Sequence, residues 1–414
     1  MLKILFNPCG RYTLLWCLYY MQGFLYKSGG ILSMSLAGVL IALSAIYTMK
    51  LWLNFRVNGY LKALTAVLIL VSVYGFVAYL TDGSVVIGKK GSTPTINWFK
   101  TMYMSILPVF TYTYFVLHGY LSVKFVRILA PFLILSIIGY YYNISTQQFE
   151  KVREYGAQVE NITNNAGYSV LSLMPILLAF DKKKLLQFVG LICIIVAVTL
   201  AMKRGAIFIG AIMSLLFISK EFKESRGITK SAIILLIFLL CGSTYMFISD
   251  YMMDNDYFLR RMNNTIDGNS SGRDDIYATL WEHYLHETSI LKIIFGGGIW
   301  YTTKISWTAA HNDWLEFLLD MGALGVVIFA IYWIKFFQLT IFKKLPANSR
   351  FCLLLIFVLY FLRTIFSMSI SAMTYIDGMM LSIALCGLIK SCNICAVSNS
   401  YQRTHQRRIN TDTF

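Results

Sequence analysis

The sequence predicts an all-α, polytopic integral membrane protein. Of its 414 residues, 57% are hydrophobic and only 14% are charged, and the mean hydropathy is +0.62. Apolar runs recur along the chain at lengths near the ~20 residues that a helix needs to cross a hydrocarbon core. These runs lack the alternation of a barrel strand, and a span isolated in lipid must satisfy its own backbone hydrogen bonds, so each run is expected to be a helix.

About twelve such spans are predicted, three of them shorter than the others. The runs lie at residues 12–26, 29–49, 60–80, 99–118, 126–143, 167–181, 184–202, 205–219, 231–249, 318–341, 351–370 and 374–391. The first, sixth and eighth runs fall short of about 20 residues. We expect one membrane domain over residues 1–414, because the sequence contains no internal repeat and no Pro-rich linker.

Basic residues in the short loops predict the orientation, because cytoplasmic loops carry the excess of Lys and Arg. Such residues follow every even-numbered span: Lys50, Arg56, Lys62, Lys124, Arg127, Lys182, Lys183, Lys184, Lys220, Lys223, Arg226, Lys230, Lys343, Lys344 and Arg350. Both termini are therefore predicted to be cytoplasmic, with a basic tail at 392–414, and the first helix is not expected to be a cleaved signal peptide. The formal charge of +16 is scattered over loops, which favours anionic lipid and not nucleic acid as its partner.

One polar excursion interrupts the membrane pattern at residues 250–317, between predicted spans 9 and 10, and parity places this large loop in the periplasm. A capping-box start at Ser271 and apolar residues at every fourth position from Ile276 to Tyr284 predict an amphipathic helix that lies on the membrane surface. The glycine triplet at 296–298 predicts a flexible hinge, since no Lys-Ser/Thr follows it as in a phosphate-binding loop.

A second helix is predicted to begin near Asn312 and to continue into the tenth span. One stripe of this helix collects a histidine, two leucines and two glycines, namely His311, Leu315, Leu318, Gly322 and Gly325. The glycines favour a packing seam with another helix. His311 has two open interpretations, either an interfacial residue that caps the helix or a functional group that titrates near neutral pH.

Cationic residues also occur where a membrane protein normally avoids them. Lys203 and Arg204, followed by Gly205, occupy a tight turn that parity assigns to the outside, where few positive charges are expected. The pair indicates either a bound anion or side chains that reach the outer headgroups. Arg363 lies within the eleventh span and is expected to face a cavity or to pair with an acid such as Asp377, in a structural or a direct role.

Together these motifs resemble the O-antigen polymerase and O-antigen ligase superfamily (Wzy and WaaL). In chain order they are Lys203-Arg204-Gly205 in an external turn, Ser271-Gly272-Arg273 followed by Trp281 in the long loop, and His311-Asn312 with Leu315-Glu316 and Gly322 at the start of a span. The resemblance covers roughly residues 167–341 in motif detail. It rests on the order of these motifs along the chain and on the side of the membrane to which each is predicted to belong.

The resemblance implies a metal-independent, GT-C-like glycosyltransferase without a cofactor, at the periplasmic face of the bacterial inner membrane, with a glycan on undecaprenyl diphosphate as donor. A diphosphate leaving group needs fixed positive charge, so Arg204 and Arg273 are assigned to it, with Lys203 as an auxiliary. An acceptor hydroxyl needs a base, which His311 suits. Glu316 is assigned to orient or assist His311, although it also complements the helix N-terminus.

Further side chains are candidates for substrate contact. Arg363, Trp281 and Asn312 belong to this group. Aromatic side chains suited either to sugar stacking or to an interfacial belt are Trp281, Trp300, Tyr301, Trp307 and Trp314. No metal site is expected, because His283 and His286 have no evident third ligand.

Three functions fit these features. A polymerase of lipid-linked repeat units is favoured by analogy with the family, for an O-antigen, a capsule or an exopolysaccharide. A ligase uses the same donor but transfers the glycan to a lipid A core. A non-enzymatic flippase is the third. Transporters commonly consist of two repeated halves, which this sequence does not show, and a flippase would leave the polar excursion at 250–317 without a function. Expected partners are the lipid-linked donor, a glycan acceptor, membrane lipids and a chain-length regulator.

Overall fold

The computed structural model of the chain describes most of the membrane part and about two thirds of the excursion. The described residues are 2–81, 84–87, 91–154, 164–225, 273–306, 308–342, 344–367 and 369–386, together with residues 227, 230, 242 and 388. The predicted ninth span (apart from residue 242), the first part of the excursion at 250–272, Trp307 and the tail at 392–414 lie outside them.

Helices dominate the described residues. Their bounds are α1 (Leu2–Phe6), α2 (Pro8–Tyr20), α3 (Ile31–Asn54), α4 (Gly59–Thr81), α5 (Thr95–Leu117), α6 (Val123–Glu154), α7 (Ala166–Leu171), α8 (Met174–Leu177), α9 (Lys184–Leu200), α10 (Arg204–Glu224), α11 (Arg273–Leu285), α12 (Ile290–Phe295), α13 (Tyr301–Ser306), α14 (Asp313–Ile341), α15 (Ala347–Phe366) and α16 (Tyr375–Cys386). Short 3-10 turns lie at Leu178–Phe180 and Ile370–Ala372.

Six of these helices are long and apolar enough to cross a membrane. They are α3, α4, the Val123–Gln147 part of α6, α10, α14 and α15. The segments Ala166–Phe180, Lys184–Leu200 and Tyr375–Cys386 are apolar but shorter. Each predicted run within the described residues overlaps a helix, so the prediction of a polytopic helical membrane protein is confirmed. The number of twelve spans stays a prediction.

A small β-hairpin departs from the all-α expectation. Strands β1 (Ser84–Ile87) and β2 (Gly91–Pro94) pair antiparallel, with Ser84 opposite Pro94 and Ile87 opposite Gly91. This segment connects α4 to α5 and contains β-branched residues in β1, which suit an extended backbone. The hairpin is a local elaboration of a connection between helices.

Helix α14 packs between α4 on one side and α15 on the other. Its backbone leaves helical geometry at Gly322, with φ of 68°, and the break lies against the turn that follows α12. Gly297 N–H donates to the Leu319 carbonyl at 2.8 Å, and Gly298 N–H donates to the Asp320 carbonyl at 2.9 Å. The glycine triplet is therefore a turn docked on α14, which corrects the expectation of a flexible hinge. Gly322 allows the backbone at Ile294, in the last turn of α12, to approach closely, as the packing-seam interpretation expects.

The apolar face of α11 packs on protein. Leu280 is fully buried with Ala310 and Leu319, and the other residues packed on this cluster are Ile276, Tyr277, Tyr284, Tyr301, Ile305 and Leu315. The predicted amphipathic pattern is correct, but its partner is α13 and α14 and not the membrane surface. Helix α11 thereby covers the loop that precedes α14.

Candidate functional site

Four helix termini meet at one end of the bundle. The Arg273 guanidinium, at the start of α11, donates to the Phe366 carbonyl at the end of α15 over 3.0 Å. A Cβ atom added at Gly205, at the start of α10, would lie 3.2 Å from Phe366 Cβ. At the start of α14, the Trp314 indole donates to Thr364 Oγ1 at 3.0 Å. Long-range contacts thus bring together three motifs that are distant in the sequence.

His311 occupies the residue before the N-cap of α14. Its φ of 54° lies in the left-handed region, which is uncommon for a residue with a side chain. Asn312 follows as the N-cap, and its side-chain oxygen accepts hydrogen bonds from Trp314 N at 2.9 Å and Leu315 N at 3.3 Å. The predicted helix start at Asn312 is confirmed, and Asn312 orients the backbone that presents His311.

The electrostatic surroundings of His311 favour its neutral form. The side chain is exposed, yet enough protein surrounds it that desolvation lowers its pKa below the usual 6.5, and the positive charges of Arg273 and Lys203 lower that pKa further. Both cations were assigned to the diphosphate from the sequence. Their influence on one imidazole places the predicted base and the predicted anion site together.

Glu316 is buried in the protein, whereas the His311 side chain is exposed. Its carboxylate is buried and accepts hydrogen bonds from Ala310 N–H at 2.6 Å and from the Thr302 hydroxyl at 2.6 Å. These bonds join α14 to α13 and hold the residue that precedes His311. The geometry supports the orienting role considered for Glu316, because both carboxylate oxygens have protein donors.

Two further carboxylates, Asp313 and Asp320, join the start of α14 to neighbouring segments. Asp313 accepts from Ser369 N–H at 2.7 Å and from its hydroxyl at 2.5 Å. Asp320 accepts from Trp300 N–H at 3.0 Å and from Thr302 N–H at 3.2 Å. The sequence reasoning missed both, although acids at 313, 316 and 320 have the spacing of one helix face.

Lys203 and Arg204 lie at the turn between α9 and α10. Lys203 is the N-cap of α10, and Met202 before it has φ of 50°. Asn164 N–H donates to the Ala201 carbonyl at 2.9 Å, which ties the turn to the start of α7. Both cationic residues are half-buried at this turn.

Arg363 is buried in α15, and its partner differs from the expected one. Its guanidinium stacks on the Tyr168 ring, with Cζ 4.4 Å from the ring centroid. No ion pair between Arg363 and a carboxylate occurs within the described residues. Asp377 instead accepts hydrogen bonds from three hydroxyls, those of Ser172, Tyr360 and Thr374.

The remaining predicted residues lie along α11. Trp281 is 49% exposed and packs against Tyr284, so it does not join the cluster around His311. His283 Nε2 hydrogen-bonds the Tyr301 hydroxyl at 3.0 Å, and His286 Nδ1 lies 2.8 Å from the Glu282 carbonyl. In the part of the chain described, no three His, Cys, Asp or Glu side chains form a metal-binding group. Ser271 and Gly272 lie outside the described residues.

An apolar groove lies on the α4 side of α14. Its volume is about 740 Å³, and its wall includes Tyr74 of α4, the turn at 296–298 and Lys304 of α13. None of the residues assigned to the diphosphate or to the base lines this groove. The candidate site is therefore defined by the meeting of charged side chains at the helix ends.

Comparison with known families gives a match to part of the chain. Residues 189–330 match the family model described as O-antigen ligase (Wzy_C). The matched range includes Lys203, Arg204, Arg273, His311 and Glu316. No curated protein matches the chain. Residues 189–330 of this multi-pass membrane protein are thus similar to the O-antigen ligase family, and this match supports the resemblance to the superfamily of O-antigen polymerases and ligases and a role in surface-polysaccharide synthesis.

Proposed function

We propose that the protein polymerises oligosaccharide repeat units carried on undecaprenyl diphosphate, at the periplasmic face of the inner membrane. The observation that carries this proposal is that the starts of α10, α11 and α14 all contact the end of α15, which brings together the helix ends that carry Lys203, Arg273 and His311. A glycosyl transfer from a lipid diphosphate needs positive charge for the leaving group and a base for the acceptor, and this cluster contains both.

The leaving group is bound by cations in this mechanism. As the bond between the anomeric carbon and the diphosphate oxygen breaks, negative charge grows on that oxygen. Arg204 and Arg273 contact the diphosphate through paired N–H donors, and Lys203 adds a third charge. The reaction then needs no metal, because the three side chains supply the charge stabilisation themselves.

The acceptor hydroxyl is activated by His311. Its oxygen attacks the anomeric carbon, and the imidazole takes the hydroxyl proton as the new bond forms. Because neighbouring positive charge and desolvation lower the pKa of His311, the imidazole is neutral and ready to accept a proton at pH 7. Glu316 acts through its hold on Ala310 and is a positioning residue.

A ligase is the second candidate, because the matched family is described as O-antigen ligase. Both enzymes break the same donor bond, and they differ in the acceptor, which is a second lipid-linked repeat unit or a lipid A core. The family implies lipid-linked oligosaccharides and membrane lipids as partners, and we extend these to a chain-length regulator.

Deletion of the gene tests the proposal, with glycan length measured on the lipid carrier and at the cell surface. A polymerase predicts that the surface lipid carries a single repeat unit and no longer chain. Long glycans stranded on the carrier would identify a ligase instead. Single units stranded on the carrier, with none at the surface, would contradict both and indicate a flippase.

A further inference from the structure

We propose that the N-terminus of α10 and the Tyr168 hydroxyl bind an oxygen of the diphosphate, in addition to the side chains of Lys203, Arg204 and Arg273. The inference rests on the proposed function, because it adds a backbone and phenol contact to the same donor. The ligand is chemically an isoprenoid diphosphate. Neither Tyr168 nor Gly205 was assigned a role by the sequence motifs.

The start of α10 offers backbone donors. The helix runs over 21 residues from Arg204 to Glu224, with no acidic residue in its first turn. Ile207 N–H donates to the Lys203 carbonyl at 3.0 Å, so the amides of Gly205 and Ala206 precede the first N–H group that donates to the N-cap carbonyl. A lysine N-cap has no acceptor atom with which to cap these amides. The helix dipole adds partial positive charge there.

Tyr168 points an unused donor at this helix end. The residue is 1% exposed, and its hydroxyl has no hydrogen-bond partner within the described part of the chain. That hydroxyl lies against Gly205, where an added Cβ atom would overlap it. A buried hydroxyl without a partner is costly, so its retention beside free helix amides indicates a ligand that accepts from both.

Arg363 packs against the ring of Tyr168. Its guanidinium stacks on the Tyr168 ring, it is 8% exposed, and its Nε also lacks a partner among the described residues. The buried carboxylates of Asp313 and Asp377 accept hydrogen bonds from hydroxyl and amide donors. Stacking fixes the ring, and the positive charge beneath it favours an anion at the hydroxyl.

Gly205 sets the close approach. A methyl group at this position would meet the Tyr168 oxygen and approach Phe366 Cβ. The Tyr168 hydroxyl is therefore in direct contact with the helix end, and any larger residue at position 205 would displace it. A water molecule is the competing partner of this hydroxyl, and a phosphate oxygen and a water molecule predict different effects of removing the hydroxyl.

The test uses the full-length protein in detergent with farnesyl diphosphate as the probe. Tyr168→Phe removes the hydroxyl and keeps the ring, so folding should be preserved, which a thermal melt checks. We expect farnesyl diphosphate to bind about tenfold more weakly, the effect of one hydrogen bond to a charged group. Farnesyl monophosphate, which has a single phosphate, should lose less affinity.

Tyr332→Phe is the matched control. Tyr332 is also a buried tyrosine, its hydroxyl lies 3.5 Å from that of Tyr60, and it lies about 28 Å along α14 from Asp313 by the helical rise. This variant should bind the probe as the wild type does. Gly205→Ala should weaken binding at least as much as Tyr168→Phe.

The outcomes separate this inference from the proposed function. Wild-type affinity in Tyr168→Phe, together with lost affinity in Arg273→Ala, would show that water occupies the position and would overturn the inference alone. If Arg273→Ala also bound the probe normally, the diphosphate site itself would be wrong. Weak binding in both variants, with a normal Tyr332→Phe, would support both.

Discussion

The two ends of helix α10 use charge in opposite ways. At its C-terminal end, Glu221 is fully buried and lies 2.5 Å from Lys184 and 3.4 Å from Lys220. Lys220 also contacts Glu224 at 2.7 Å. Each carboxylate at this end therefore has a lysine beside it, and the charges compensate one another locally.

Near the N-terminal end of α10, the three carboxylates in the first turns of α14 have neutral hydrogen-bond donors. Asp313, Glu316 and Asp320 accept hydrogen bonds from neutral amides and hydroxyls. The positive charges of Lys203 and Arg273 instead act on the His311 imidazole. The lysine–glutamate pairs at the C-terminal end thus stabilise the fold, whereas the proposed function assigns the cations near the N-terminal end to an anionic ligand.

Replacing Arg273 should give the largest loss of turnover. Arg273→Ala removes a guanidinium that lies at the meeting point of α11 and α15. We expect turnover to fall about 100- to 1,000-fold, as for the loss of a donor that stabilises developing charge. Steady-state assay of glycan formation from a lipid-linked donor measures this loss, and Arg204→Ala should behave in the same way.

Lysine variants sharpen the Arg273 prediction. Arg273→Lys keeps the charge but loses the paired N–H geometry, so it should recover only part of the turnover. Full recovery would mean that the site needs positive charge alone. The two ends of α10 would then differ in how many charges they carry, and the paired N–H geometry of arginine would not matter.

Removing the candidate base should cost slightly less. His311→Ala eliminates the proton acceptor and should lower turnover about 100-fold or more. Donor binding should persist, because the cations remain. Turnover and binding of farnesyl diphosphate are measured on the same preparation. A folded variant with undiminished polymer formation would remove His311 from the mechanism and leave it as an interfacial residue.

Glu316→Gln should have a smaller effect, because Glu316 acts through the loop before His311. The amide retains one acceptor but places an NH2 group where Ala310 N–H or the Thr302 hydroxyl now donates. We expect kcat to fall about tenfold, from one lost buried hydrogen bond, with KM for the donor nearly unchanged. An equal rise in KM would indicate general damage to the site.

Much of this site was predictable from the sequence because its side chains violate membrane preferences. Lys203 and Arg204 in an external turn are costly for insertion, and His311 begins a span. Arg273 was found through its motif. Such signals are local, and each is readable without knowing the fold. The helical architecture was predictable for the same reason, since lipid imposes strong limits on backbone and length.

Contacts between distant segments were not predictable. Arg363 stacks on Tyr168, which lies 195 positions earlier in the chain, and no local pattern pairs these residues. The packing of α11 on α13 and α14 was not predictable either. An amphipathic pattern indicates that one face of a helix is buried, but it does not identify the element that covers this face. The role of Gly205 depends on Tyr168 and emerges only with the fold.

The pH profile should respond to Lys203. His311 accepts a proton only when neutral, so turnover falls as the pH drops through its pKa, which lies below 6.5. Lys203→Gln removes one of the charges that lower this pKa, so the pKa should rise and the acidic limb should move to higher pH. Turnover measured between about pH 5 and 8 shows the shift. An unmoved limb would assign it to another group.

The opposite end of α10 should show the smallest effect on turnover. Glu221→Gln leaves Lys184 and Lys220 without their shared carboxylate, and breaking a buried pair costs about 3 kcal/mol of unfolding free energy. We expect a lower melting temperature and unchanged kcat in the folded fraction. Because Lys184 is 36% exposed, part of its charge can be hydrated, which places the cost at the lower end of the range. A large loss of kcat with normal stability would mean that the two ends are coupled through α10, and the division between structural and functional charge would no longer hold.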